Sequence, residues 1–237
     1  MPQLPFQPVA STTAPLRVCF GNFARPEAIR PFGIDATLTA RHSEGLAALL
    51  PILGCGEEAA TLAFGALATE VDHDPAGRAA LAGIAEDEER HDVLIASLRS
   101  ALPPPPDQRE TLRRARRFHI DLGRGSIALR LARIAALDSA VCTILGRLLR
   151  RNAALARAPN IHGALSAIWL DESRHVAVSR RLALARADGA TLRPCAIEAR
   201  NTLADIILLA GTALDSLDVD PVRLARDLRS LPTSLLA

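Results

Sequence analysis

Residues 87–91 read DEERH and residues 171–175 read DESRH, so a D-E-x-R-H pattern occurs twice in one chain. On an α-helix, residues three apart project from nearly the same face, so Glu88 with His91, and Glu172 with His175, can each reach one point. The stripes around them are apolar: Leu81, Ile84 and Ile95 flank the first pair, and Leu165, Ile168 and Leu182 the second. Both pairs are therefore expected to point inward. With six histidines in 237 residues, chance gives about 0.3 E-x-x-H matches, so two copies sharing the same Asp and Arg are informative. The alternative is a pair of surface ion-pair clusters.

Two more carboxylates fall in apolar stripes upstream of these pairs. Glu57 lies among Leu53, Ala60, Phe64 and Leu67; Asp138 lies among Leu131, Ile134, Val141 and Leu145. Glu58 rivals Glu57, but its stripe contains Pro51, Gly54 and Gly65, which favours Glu57. The order is then acid followed by E-x-x-H, repeated. Four carboxylates and two imidazoles can converge, and burying them uncompensated would cost several kcal/mol for each ionised group. A dication is the natural compensation.

Hydrophobic periodicity places these positions on long helices. Residues 1–42 are rich in Pro, Thr and Gly and read as an irregular N-terminal arm. A bundle is expected over 43–188, with helices over 43–71 and 75–102, a third region over 107–155 interrupted near Gly123 and Gly125, and a fourth ending at Asp188-Gly189. Segments 195–216 and 221–230 are amphipathic and are expected on the outside of the bundle, so 189–237 reads as additional C-terminal helices. The fold class is all-α.

Composition narrows the chemistry. Apolar residues make up 49% of the chain but aromatic ones only 3%, so the core must be Leu, Ala, Ile and Val, which favours helices. A net charge of +2 offers no large field for nucleic acid. The sequence contains no Lys, which excludes a lysine Schiff base and a phosphate-loop lysine, and no Tyr, which disfavours a stored tyrosyl radical. Cys19, Cys55, Cys142 and Cys195 form no C-x-x-C pair, so free thiols in a cytoplasm are expected. No export signal or membrane span is expected, because charges interrupt the apolar runs. His42, His73, His119 and His162 have no partner at ligand spacing.

The repeated acid and E-x-x-H arrangement resembles the ferritin-like di-iron carboxylate superfamily, whose four-helix bundles carry inward carboxylates and histidines. The resemblance spans about residues 43–188 and implies a ferritin-like four-helix bundle. E-x-R-H is similar to the hydroxylase subunits of bacterial multicomponent di-iron monooxygenases, while Glu57 followed by Ala60 and Phe64 looks like the first helix of rubrerythrin-type proteins. It implies that Glu57, Glu88 and His91 serve one metal and Asp138, Glu172 and His175 the other, with Glu88 and Glu172 bridging and catalytic. It further implies that Asp87 and Asp171 orient the histidine of the opposite repeat, with Arg90 and Arg174 neutralising them. Asp138 departs from the Glu usual there. Ile168 stands where arylamine N-oxygenases, another branch, carry a seventh ligand histidine.

The implied function is an oxygen-dependent di-iron oxygenase or oxidase, with two irons, or manganese or a mixed pair, as cofactor. It would hydroxylate, N-oxygenate or desaturate a small organic substrate with electrons from an external donor. The competing reading is a ferroxidase, iron-storage or peroxide-detoxifying protein. No nucleic-acid or membrane partner is expected, and exposed stripes on the terminal helices are compatible with a homodimer. The arginine runs at 113–117 and 147–151 read as solvated helix faces.

Overall fold

The computed structural model describes residues 19–20, 32–35, 37–71 and 73–237, and every regular element among them is a helix. Most of the expected arm, residues 1–42, lies outside the described residues. The helices in chain order are α1 (Ala40–Glu70), α2 (Pro75–Ser100), α3 (Arg109–Leu122), α4 (Ile127–Leu148), α5 (Pro159–Leu184), α6 (Gly189–Leu209), α7 (Gly211–Ser216) and α8 (Pro221–Arg229). The chain is an all-α bundle.

Local chemistry sets the boundaries. Thr39 accepts a hydrogen bond from the His42 amide, so α1 starts at Ala40, before the expected Ser43. Asp74 caps α2 by accepting from the Gly77 amide at 2.7 Å, with Pro75 at the first helical position. Gly125, at φ 90°, makes the turn that splits the expected third region into α3 and α4. Asp188 caps α6 by accepting from Thr191, so this helix starts at Gly189 and carries Pro194 inside it. Asp220 caps α8 by accepting from both Val222 and Arg223.

α1 packs along α2, α4 along α5, and α2 against α5, while α1 and α4 face one another across an internal cavity. α3 packs on α1 and α6, and α6 packs on α4 and α8. The C-terminal helices share the buried core with the four long ones, and α6 supplies cavity wall through Leu203, Ile206 and Ile207. Arg200, 1% exposed, fixes α6 in place: it donates to the Leu228 carbonyl at 2.6 Å, the Ala136 carbonyl at 3.2 Å and the Ser139 hydroxyl at 3.3 Å. These acceptors satisfy a cation that burial would otherwise penalise. α7 lies so close to α1 that a Cβ on Gly45 would stand 2.7 Å from the Ser216 Cβ.

One expectation fails. Cys19 and Cys55 are not free thiols; they form a disulfide with Cα atoms 5.2 Å apart, leaving only Cys142 and Cys195 free. The Glu58 carboxylate supports the pairing, because it accepts from the backbone amides of Cys19 and Phe20 at 3.2 and 2.6 Å and so holds these two residues against α1. The thiol argument for a reducing compartment falls with it. One helix among the described residues, α1, is long and apolar enough by length and composition to cross a membrane, and 56% of its apolar window is buried inside the fold, as in a core helix.

Closing a loop of 36 residues, the disulfide is expected to stabilise the chain by about 2–4 kcal/mol. Urea unfolding of a Cys19→Ala, Cys55→Ala variant should show that loss; an unchanged midpoint would mean the bridge does not hold Cys19 to α1.

Candidate metal centre

The four bundle helices each bring acid to one level of the core. α1 contributes Glu57, α2 Glu88 and His91, α4 Asp138, and α5 Glu172 and His175, all buried. This polar layer separates two apolar groups. On one side lie Leu46, Leu49, Ile95, Ile144 and Leu165; on the other lie Phe64, Leu67, Leu81, Leu131 and Leu182.

Glu57, Glu88, His91 and Glu172 each offer a ligand atom within 4.8 Å of all the others, a group able to hold a metal ion. His91 Nδ1 lies 3.3 Å from Glu57 Oε2, 3.4 Å from Glu88 Oε2 and 3.9 Å from Glu172 Oε1. His175 joins from the other side, with Nδ1 3.0 Å from Glu88 Oε1. Glu88 therefore turns one oxygen toward each histidine. Asp138 lines the same cavity but stands outside the four-residue group, in keeping with its shorter side chain.

The donor atoms themselves test whether a cation fits. Glu88 Oε2, His91 Nδ1, Asp138 Oδ2 and His175 Nδ1 are buried without a hydrogen-bond partner, although the histidines lie at ion-pair distance from carboxylates. Orphaned polar atoms inside a core are costly, and here they belong to the residues the repeated motif supplies. Oxygen and imidazole donors of this kind suit first-row transition metals.

The outer face of each imidazole is fixed by the opposite repeat. His91 Nε2 lies 3.1 Å from Asp171 Oδ2, and His175 Nε2 lies 3.1 Å from Asp87 Oδ2. With Nε2 held as the donor, Nδ1 is the nitrogen left able to take a metal. Arg90 and Arg174 both bond Asp87, and Arg174 reaches Asp171 at 3.0 Å and Arg90 at 4.0 Å. Burial alone would raise the Asp87 carboxyl, but hydrogen bonds from His175, Arg90 and Arg174 outweigh it and hold it down at about 2.

Without a cation the layer stores protons. Burial pushes Glu57 up to about 8, with the Glu88 charge adding to it. Burial also opposes the His91 imidazolium, but Glu57 and Glu88 outweigh it and raise His91 to about 11. Asp138 and Glu172 are raised by burial and by the Glu88 charge.

A cavity of about 50 Å³ opens on this layer, with Glu57, Glu88, Asp138 and Glu172 at its polar end and side chains of α1, α3, α4 and α6 as apolar walls. It also contains a residue the sequence did not single out. His119 on α3 lines the cavity, and burial pushes its imidazole down to about 4, so it is neutral near pH 7. The signal was present: His119 lies in the apolar stripe Ala115, Phe118 and Leu122, just as the other histidines lie in theirs. The carboxylate of Glu58, the rival to Glu57, accepts from the Cys19 and Phe20 amides. The chain matches no protein-family model and no curated relative, so geometry alone carries the functional reading.

Because burial raises Glu57 and the neighbouring carboxylates raise His91 in the metal-free chain, a dication bound there displaces protons. Titration calorimetry in buffers of different ionisation enthalpy should show proton release and an affinity that weakens as pH falls; binding without proton exchange would contradict this arrangement. An Asp87→Asn variant should lose roughly 10- to 100-fold in metal affinity while keeping its helical circular dichroism.

Proposed function

We propose that the chain is a di-iron oxygenase or oxidase of the ferritin-like carboxylate type, using dioxygen to oxidise a small organic molecule. What supports this most is the orientation of Glu88, one oxygen facing His91 and the other His175, at the closed end of an apolar cavity. Glu57 and His91 would hold one iron, Asp138 and His175 the other, with Glu88 and Glu172 shared. Two ferrous ions bound there would supply the electrons that reduce dioxygen.

The chain's own groups have definable tasks. Asp87 and Asp171 hold the two histidines by Nε2, so that the ligand nitrogens meet the metals already oriented. Leu53, Val141, Ile144 and Ile207 exclude water from the space next to the ligands. Neutral His119 offers that space one N–H donor and one acceptor nitrogen. The cavity admits about three to five waters by volume, which restricts the substrate to a small or slender molecule. The same narrowness favours a second reading in which peroxide or ferrous iron is itself the substrate.

The iron-loaded, reduced protein should consume oxygen with a transient absorbance between roughly 300 and 700 nm, and Glu172→Ala should abolish both. Oxygen uptake without such a transient, or a transient that survives in Glu172→Ala, would remove the oxygenase reading. Continued uptake of iron far beyond two per chain would select the ferroxidase alternative.

A further inference from the structure

The RRARR run at 113–117 has no role in the chemistry above. Arg113, Arg114, Arg116 and Arg117 line a groove of about 530 Å³ between α3 and α6, together with Asp205 and Ile206. The four arginines face that one aspartate, and Asp205 is already bonded by Arg229 at 2.6 Å. Glu110 pairs with Arg113 and Arg114, and Asp121 with Arg117, but these pairs are exposed, where such contacts are weak and screened. Among the described residues Arg116 makes no ion pair; its guanidinium lies 5.6 Å from the centroid of the Phe20 ring.

The groove adjoins the metal-centre cavity. Ile206 lines both. Helical twist puts Ala115, Phe118 and His119 on the cavity side of α3 and the arginines on the groove side. A molecule lying across Ile206 would have one end among guanidinium groups and the other in an apolar space that ends at the ligand carboxylates. The two environments ask for an anionic head and a short aliphatic tail.

We propose that the α3–α6 cleft is the substrate entrance and admits a short aliphatic carboxylate. Its head is held by Arg113, Arg116 and Arg117, which share a face at i, i+3 and i+4. Its tail passes Ile206 into the cavity. The inference rests on the oxidation site being the cavity described above. A concave groove that shares Ile206 with that cavity fits a small molecule better than the flat face of an acidic protein.

The test is calorimetric titration of the iron-loaded full chain with acetate, butanoate, hexanoate and hexanol, recording iron content and oxygen uptake on the same samples. Hexanoate should bind, with affinity rising about fourfold per methylene from butanoate and exceeding that of hexanol at least tenfold. An Arg113→Gln, Arg116→Gln, Arg117→Gln variant should weaken hexanoate by about tenfold or more and leave hexanol unchanged. Ile206→Phe, with its fold checked by circular dichroism, should remove the dependence on chain length. Equal binding of hexanoate and hexanol, an unaffected triple variant, or binding of polyglutamate but not hexanoate would overturn the inference. Iron and oxygen uptake without hexanoate binding defeats this inference alone, whereas hexanoate binding without iron supports the entrance and defeats the oxygenase reading.

Discussion

The fold is organised around one electrostatic constraint: four carboxylates and two imidazoles are buried at one level of a helical bundle, between two apolar groups. Such a layer cannot be stabilised by packing, and each uncompensated ion would cost several kcal/mol. Protons meet part of the demand, as the raised Glu57, Asp138 and Glu172 carboxyls show. Four buried donor atoms still lack hydrogen bonds. A cation held among Glu57, Glu88, His91 and Glu172 would compensate that part of the layer.

The surrounding structure keeps that layer in order. Asp87 and Asp171 cross between repeats to hold the histidines, so neither D-E-x-R-H copy works without the other. Arg90 and Arg174 lie against those aspartates, and together with His175 they hold the buried Asp87 carboxyl down. The helices beyond the four long ones shape the access: α3 and α6 wall the space between α1 and α4. Arg200, bonded to carbonyls of α4 and α8, anchors α6 in that position. Cys19 and Phe20, held by Glu58 and by the bridge from Cys19 to Cys55, lie on α1 one position from Glu57.

Periodicity made the all-α class legible, because Leu, Ile and Val recur on one face of each long helix and Pro75, Pro159 and Pro221 begin three of them. The convergence of Glu57, Glu88, His91 and Glu172 was legible for the same reason: a polar residue in an apolar stripe must point inward. What escaped the sequence depended on contacts between distant segments. Nothing local announces that Glu58 will catch Phe20 and bring Cys19 to Cys55, or that α3 will turn His119 into the cavity. Asp138, expected as a ligand with a shorter reach than Glu, lines the cavity but, like His175, stands outside the four-residue group.

The most direct measurement is the metal content per chain by elemental analysis after anaerobic iron loading, comparing the natural chain with a Glu88→Ala, His175→Ala variant. About two irons in the natural chain and none in a folded variant is the predicted result, since these two residues carry the ligand atoms facing both half-sites. No stoichiometric metal in either protein would contradict the account and leave the repeated D-E-x-R-H motif as a buried ion-pair device.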